Sequence, residues 1–140
     1  MQQYLLDTHI LAWALSKNDL LNKNIREGIE YFQSSYFVSM EVLHELVTLI
    51  QYGDIKLKLS IVDIIAYLAC YNISILPTTL DHLKALEKLP VLKINGKEHK
   101  DVTDRLLIAQ AIAEKMILIS ADQKFPDYVT CKGFYLLENS

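Results

Sequence analysis

Two carboxylates and a histidine stand directly before an apolar segment of this chain. His99, Asp101 and Asp104 precede the run from Leu106 to Ile112, whose apolar side chains fall on one broad helical face. The pattern predicts a helix from Asp104 to Lys115 with charged and titratable groups at its start. Acids and histidines at the end of a buried helix are residue types that transfer protons or bind cations.

The start of this predicted helix has two interpretations. Thr103 can cap it by accepting a hydrogen bond from a backbone N–H, and an acid in the first turn meets the positive end of the helix dipole. Asp104 is therefore either an ordinary helix-stabilising acid or a catalytic acid, because first-turn acids are common. The other acids of the chain have to decide between these interpretations.

Two of those acids follow buried strands. The short, largely apolar run from Gln3 to Leu6 ends at Asp7, and the apolar run from Met116 to Ser120 is followed by Ala121 and Asp122. In parallel α/β sheets, the loops at the carboxyl ends of the strands form the crevice in which ligands bind. We therefore expect Asp7 and Asp122 to lie at the same edge of a sheet.

A third strand end leads into a helix that carries two glutamates. Ser39 follows a short β-prone run and is well placed to cap a helix over residues 40–50. Glu41 and Glu45 lie four residues apart and share a face of this helix. They form either a solvated acidic stripe or a pair of which one member points over the sheet edge towards Asp7. We choose Glu45 for that position, because it adjoins Leu46 inside the apolar pattern.

The remaining chain alternates between strands and helices, which predicts an α/β fold with a parallel sheet covered by helices on both sides. The Asn95-Gly96 pair predicts a turn within a basic loop. The further predicted elements are a helix over Asn22–Gln33, a helix over Ser60–Cys70 with Ile61, Ile64, Ile65, Leu68 and Ala69 on one face, a strand at Ile73–Leu76, a helix from Thr79 or Asp81 to near Pro90, and a last strand at Phe134–Leu137.

Length and composition limit the function classes. The 140 residues, 51% of them apolar, predict one domain over residues 1–140. A formal charge of −3 argues against binding of nucleic acid by bulk positive charge. No run is long and apolar enough for a membrane span and no leader pattern is present, so we expect a cytoplasmic protein. Cys70 and Cys131 lack metal-site spacing and are expected to be buried free thiols.

Four carboxylates brought together at one crevice would need a cation, because their mutual repulsion opposes ionisation of all of them. An all-oxygen ligand set suits Mg²⁺ or Mn²⁺, which also bind substrate phosphates. The predicted chemistry is therefore metal-assisted cleavage of a phosphodiester. The four acids are Asp7, Glu45, Asp104 and Asp122, and the candidate phosphate contacts are Lys93, Lys97, Lys100, Arg105, Lys124 and Lys132.

Two other functions are compatible with acids at strand ends. Phosphatase-like and receiver-like α/β domains also place acids there, but nucleophile-type phosphatases need a second Asp two residues after the first. That position is His9 in this chain, and no paired acid adjoins Asp7 as a receiver domain requires. The other alternative is a non-catalytic binding module in which the acids are helix caps and solvated charges. Binding of a divalent cation discriminates the module from the enzyme.

Several motifs resemble those of the PIN-domain ribonucleases, specifically the VapC-type toxins of toxin–antitoxin pairs. They occur in the family's order, and the segment from His99 to Ala111 is the most similar. Lys100, Val102 and Thr103 replace the family's Arg, Pro and Phe, while Glu41 stands where a small hydroxyl residue is commoner and leaves open which glutamate faces a metal. The motifs are Tyr4-Leu5-Leu6-Asp7-Thr8-His9, Val38-Ser39 with Glu45 six residues on, His99–Ala111, and Leu118-Ile119-Ser120-Ala121-Asp122.

The resemblance implies a three-layer α/β/α PIN-like domain with a central parallel sheet of four to five strands. It implies a metal-dependent endoribonuclease that acts as a homodimeric toxin on RNA and is blocked by a cognate antitoxin. A mean hydropathy of +0.17 is compatible with apolar surface that a partner covers. We expect the antitoxin tail to lie in a groove formed by the early helices and to offer a cation to the acidic site. The implied metal ligands are Asp7, Glu45, Asp104 and Asp122, with Asp101, Thr8 and Ser120 in secondary roles.

Overall fold

A central parallel sheet organises the fold in a computed structural model that describes residues 1–140. Five strands pair in the order β3-β2-β1-β6-β7, and all four pairings are parallel. A separate short hairpin is formed by β4 and β5. The strands are β1 (Gln3–Leu6), β2 (Ser35–Ser39), β3 (Ser74–Leu76), β4 (Lys93–Ile94), β5 (Lys97–Glu98), β6 (Ile117–Ser120) and β7 (Tyr135–Glu138).

Helices flank the sheet and give the three-layer α/β/α architecture that the alternation of elements predicts. Asn22, Ser39, Ser60 and Thr79 cap four of the helices with their side chains, as expected from residues that accept hydrogen bonds from free N–H groups. The helices are α1 (Thr8–Ser16), α2 (Lys23–Glu30), α3 (Met40–Gln51), α4 (Ile61–Cys70), α5 (Leu80–Lys88), α6 (Val102–Glu114) and a 3-10 helix (Phe125–Thr130).

The strand β1 lies at the centre of the sheet between β2 and β6. In its pairings, Leu6 stands beside Val38 on one side and beside Ile119 on the other. These three side chains are at most 1% exposed, as expected for a parallel sheet that is covered on both faces. The carboxyl ends of β1, β2 and β6 therefore meet at one edge, where Asp7, Ser39 and Ser120 stand.

The helix α6 starts two residues earlier than the apolar pattern predicts. It begins at Val102, and its cap is Asp101, whose Oδ1 accepts a hydrogen bond of 2.9 Å from the Asp104 backbone N–H. The prediction that Thr103 caps this helix is therefore wrong. A carboxylate is as good a cap as a hydroxyl, so sequence alone did not discriminate between the two residues.

The core-facing stripe predicted for α4 is narrower than its apolar pattern. Only Ile64 and Leu68 are buried, whereas Ile61 and Ile65 are 44% and 48% exposed. Cys70 at the end of this helix is exposed, so the prediction of a buried thiol is wrong for Cys70. The apolar pattern correctly predicts a helix, but only one side of α4 packs against the core.

The turn predicted at Asn95-Gly96 joins β4 to β5. Both residues have positive φ, 54° and 78°, a conformation that Asn and Gly adopt most readily and that matches the twist of a two-residue hairpin. The hairpin leads directly to His99, whose backbone N–H donates to the Leu92 carbonyl at 2.8 Å. The basic loop is thus tied back onto itself just before α6.

None of the helices is both long enough and apolar enough to cross a membrane.

Candidate active site

Asp7 lies where β1 passes into α1. It caps α1, and its Oδ1 accepts a hydrogen bond of 2.7 Å from the Thr8 backbone N–H. The carboxyl group is buried, and burial raises its pKa from 3.8 to about 6, although the hydrogen bonds from Ser120 and Thr8 act in the opposite direction. A cap residue at a strand end has thus become a buried acid that resists ionisation.

Ser120 joins the two acids at the ends of β1 and β6. Its hydroxyl donates to Asp7 Oδ2 at 2.6 Å and accepts a hydrogen bond of 3.0 Å from the Asp122 backbone N–H. Ser120 is 1% exposed, so these bonds are shielded from water. The serine therefore fixes the relative positions of two strand ends that are 113 residues apart in sequence.

Glu45, and not Glu41, is the glutamate of α3 that acts on this edge. The charge of Glu45 raises the pKa of Asp7, which requires the two carboxyl groups to be close. Glu41 instead lies 3.9 Å from His44 within its own helix. The structure therefore favours Glu45 over Glu41 as the member of the acidic cluster.

Asp104 has the most strongly perturbed carboxyl group in the protein. Its pKa is raised from 3.8 to about 8, mainly by burial and in addition by the charges of Asp101, Asp7 and Asp122. Its Oδ2 lies 3.1 Å from Nε2 of His99. Burial and the charge of Lys124 lower the pKa of His99, which favours the neutral form of the imidazole beside Asp104.

A lysine that we had predicted as a phosphate contact lies among these acids. Nζ of Lys124 is 3.9 Å from Asp104 Oδ2 and 4.0 Å from Asp122 Oδ2, and the Lys124 backbone N–H donates to Asp122 Oδ1 at 2.9 Å. Its charge lowers the pKa of Asp104 and so opposes the effect of burial. The ammonium group therefore neutralises part of the cluster in the protein alone.

The other predicted phosphate contacts lie in two different settings. Lys97 and Lys100 are exposed on the hairpin segment before α6, where Lys100 lies 3.5 Å from Glu98. The Arg105 guanidinium instead turns inward and donates to the carbonyls of Leu89 and Pro90, at 3.2 and 2.9 Å. Arg105 therefore ties the segment after α5 to the start of α6.

The structure also brings in a residue that no sequence pattern had marked. Tyr128, in the 3-10 helix, is fully buried and its hydroxyl lies 2.8 Å from Nδ1 of His99. The two residues are 29 positions apart, and an isolated tyrosine in a short apolar run is typical of a core residue. Only the folding of the 3-10 helix against the start of α6 places its hydroxyl near the acidic cluster.

The donor chemistry of this edge fits a divalent cation. Asp7, Glu45, Asp104 and Asp122 supply only oxygen, and they lie close enough for their charges to raise the pKa values of Asp7 and Asp104. The buried Thr8 Oγ1 has no hydrogen-bond partner. No three His, Cys, Asp or Glu side chains stand close enough to enclose an ion as they are, so the carboxyl groups must draw together to bind one.

A parallel sheet with four acids at its carboxyl edge defines an α/β protein with an acidic crevice. A family model for the PIN domain matches residues 4–129 of the chain. The chain therefore belongs to the PIN domain family, and the resemblance predicted from its motifs is confirmed. No curated protein sequence matches the chain.

Solved structures have the same fold at low sequence identity. The crystal structure of VapBC2 from Rickettsia felis bound to a promoter DNA fragment has a chain 20% identical to this one, with a TM-score of 0.69 and coverage of 99% of this chain and 100% of that chain. DNA-bound VapBC from Salmonella typhimurium gives 15% identity and a TM-score of 0.62, with full coverage of both chains. A toxin–antitoxin complex from Klebsiella pneumoniae gives 18% identity and a TM-score of 0.58, with 94% coverage of each chain.

Neutralising Asp104 should stabilise the metal-free protein near pH 8. Because the pKa of this carboxyl group rises from 3.8 to about 8 on folding, the folded protein holds a proton between these values that the unfolded chain has released. Stability therefore falls as pH rises through this window, with Asp7 contributing up to about pH 6. We expect Asp104→Asn to raise the free energy of unfolding by roughly 1 to 3 kcal/mol at pH 8, measured by urea unfolding in EDTA.

The exposed Asp19 provides the control, because Asp19→Asn changes the same charge away from the crevice. Its stability should follow that of the wild type at every pH. An Asp104→Asn variant whose stability declines as steeply as that of the wild type between pH 6 and pH 8 would show that Asp104 is not the group responsible.

Proposed function

We propose that this chain is a metal-dependent endoribonuclease that acts as the toxin of a toxin–antitoxin pair. The observation that carries the proposal is the convergence of Asp7, Glu45, Asp104 and Asp122 at the carboxyl edge of the sheet, where burial and neighbouring charges raise the pKa values of Asp7 and Asp104. Membership of the PIN domain family supports the proposal. The toxin–antitoxin assemblies that share its fold support the biological role.

The four acids hold Mg²⁺ or Mn²⁺ in this proposal, and other residues of the chain position them. Ser120 fixes Asp7 through its hydroxyl, while Lys124 lies between Asp104 and Asp122 and balances part of their charge. When bound, the ion lowers the pKa of a water molecule and stabilises negative charge on the phosphate. The buried hydroxyl of Thr8 and the cap residue Asp101 stay in secondary roles at the edge of the ligand set.

RNA is held by local positive charge in this proposal, because the chain as a whole carries a net charge of −3. Lys97 and Lys100 precede His99 and Asp104 and are exposed. Lys124 reaches the acids themselves. We leave Arg105 out of the RNA contacts, because its guanidinium donates to backbone carbonyls within the protein.

Cleavage and metal binding should fail together when one acid is neutralised. We expect wild-type protein to bind Mn²⁺ and to cut RNA only in its presence, and Asp104→Asn to lose at least tenfold in Mn²⁺ affinity together with detectable cleavage. Induced expression should arrest growth for the wild type and not for Asp104→Asn. Calorimetric Mn²⁺ titration, followed by cleavage of a structured RNA in the same samples, measures both effects.

The two glutamates of α3 give a matched control for this experiment. Glu45→Gln should weaken Mn²⁺ binding, whereas Glu41→Gln should leave it unchanged, because only Glu45 acts on Asp7. Equally weak Mn²⁺ binding by the wild type and by every variant, with no RNA cut, would overturn the nuclease proposal. The acids would then be structural, and the chain would be a non-catalytic binding module.

Neutralising the hairpin lysines should weaken RNA binding without abolishing cation binding. The measurement uses an Asp104→Asn background with EDTA, which prevents cleavage. Each of Lys97→Gln and Lys100→Gln should make the negative slope of log K against log salt shallower by about 0.7. Lys115→Gln, at the far end of α6, is the control. Fluorescence anisotropy with a single-stranded RNA measures the slope, and equal slopes for all three variants would exclude the hairpin from the interface.

The groove beside the acidic crevice suits the antitoxin in this proposal. It runs along α1 and α2 to Ala121, which adjoins Asp122, so a tail lying in it reaches the acids with its end. A cationic side chain on that tail would compete with the metal for the carboxylates. The groove is lined by Trp13, Leu20, Leu21, Lys23, Arg26 and Ala121.

The helix α4 offers a surface for the proposed homodimer. Three apolar side chains on α4 form an exposed strip whose contact with water is unfavourable. They are Ile61, Val62 and Ile65, which are 44%, 71% and 48% exposed. Asp63 is the only charged residue of the helix. A second copy of the chain that buries this strip would remove it from solvent.

Both partners should be detectable with the purified chain. Light scattering should give a dimer for the chain alone, and addition of the cognate antitoxin should shift the fluorescence of Trp13, the only tryptophan. The fluorescence should shift because Trp13 lines the proposed groove. A monomer in solution would overturn the homodimer, and unchanged emission in a complex that forms would place the antitoxin elsewhere.

A further inference from the structure

We propose that Arg105, Tyr128 and His99 form a one-way chain of hydrogen bonds that fixes the orientation of the Asp104 carboxylate. The inference rests on the proposed role of Asp104 as a metal ligand and assigns positioning roles to three residues that touch no substrate. None of them is part of the acidic quartet. Their effect on the site passes entirely through one oxygen of Asp104.

This series of hydrogen bonds consists of three contacts. Nη1 of Arg105 lies 3.3 Å from the Tyr128 hydroxyl, which lies 2.8 Å from Nδ1 of His99. Nε2 of the same imidazole lies 3.1 Å from Asp104 Oδ2. Tyr128 is fully buried and His99 is 6% exposed, so the two hydrogen bonds of the imidazole are shielded from water, whereas the Arg105 contact is part-buried.

The donors and acceptors can be satisfied fully in only one direction. A guanidinium only donates, so the Tyr128 oxygen accepts from Arg105 and its own proton needs an acceptor. The unprotonated Nδ1 of His99 is the acceptor within reach. If Nδ1 carried the proton instead, the buried Tyr128 hydroxyl would have no acceptor, which costs free energy.

This direction determines the tautomer of His99. With Nδ1 unprotonated, the neutral imidazole carries its proton on Nε2 and donates it to Asp104 Oδ2. The other carboxylate oxygen, Oδ1, accepts no hydrogen bond from the protein. One oxygen of Asp104 is therefore held by the imidazole, while the other is left for a cation.

Arg105, the first donor in this series of hydrogen bonds, is also bonded to the segment that follows α5. Besides Tyr128, Arg105 donates to the carbonyls of Leu89 and Pro90. Three regions distant in sequence, the segment after α5, the 3-10 helix and the start of α6, thus meet at this guanidinium. These contacts fix the position of the Tyr128 hydroxyl and of the His99 ring, and the ring in turn orients the Asp104 carboxylate.

The nitrogen shifts of the His99 ring test the direction directly and need neither metal nor activity. We expect NMR of the metal-free protein at pH 9 to show a protonated Nε2 and an unprotonated Nδ1. Tyr128→Phe removes the hydroxyl and should shift the Nδ1 resonance, because the unprotonated Nδ1 then loses the hydrogen bond that it accepts. A protonated Nδ1 in the wild type, or an Nδ1 shift that is the same in the wild type and in Tyr128→Phe, would overturn the proposal.

Mn²⁺ affinity tests the consequence for the site. Tyr128→Phe should weaken Mn²⁺ binding roughly tenfold, as is typical when the partner of a ligand is lost. Tyr135→Phe, which removes an exposed hydroxyl on β7, should not. Equal affinities for the two tyrosine variants would contradict the positioning role.

A pair of substitutions at His99 separates positioning from packing. His99→Gln keeps an N–H that can donate to Asp104 and should retain most of the Mn²⁺ affinity, whereas His99→Leu removes the donor and should not. Equal loss in both variants would show that His99 only fills space. A wild type that binds no Mn²⁺ would overturn the proposed nuclease instead, and the nitrogen shifts would still decide the direction of the chain.

Discussion

The burial of mutually repelling carboxyl groups at one edge of the sheet is the constraint on which the rest of this structure depends. Parallel pairing of β1, β2 and β6 brings their carboxyl ends together, and α6 adds Asp104. Burial raises the pKa values of Asp7 and Asp104 to about 6 and about 8, which means that the protein alone holds these acids at a cost. A bound cation would remove that cost, which is the physical basis of the metal site that we propose.

The surrounding residues reduce the repulsion without abolishing it. The N–H of Thr8 and the hydroxyl of Ser120 donate to Asp7, and the ammonium of Lys124 lies between Asp104 and Asp122. These groups favour the ionised forms of Asp7 and Asp104, yet burial has the larger effect on the pKa of both. Asp7 at the end of β1 and Asp104 in the first turn of α6 are both buried, so neither carboxyl group extends into water.

Much of the fold could be predicted because it follows from local patterns. Short apolar runs that end in acids predicted β1 and β6, and Ser39 predicted the start of α3. The errors occur where the decision was not local. Thr103 and Asp101 can both cap a helix, and the carboxylate does so here. The apolar pattern of α4 could not reveal that the core covers only one side of the helix.

The sequence by itself determined which residue types end the strands and therefore which acids could share an edge, because strand length and direction follow from apolar runs and from βα alternation. The apolar pattern of α3 already favoured Glu45 over Glu41, but tertiary structure alone decided that Arg105 turns inward and that Tyr128 meets His99. The physical reason is that these outcomes depend on contacts across tens of residues. Helical periodicity places a side chain on a face, but only packing between elements determines what that face meets.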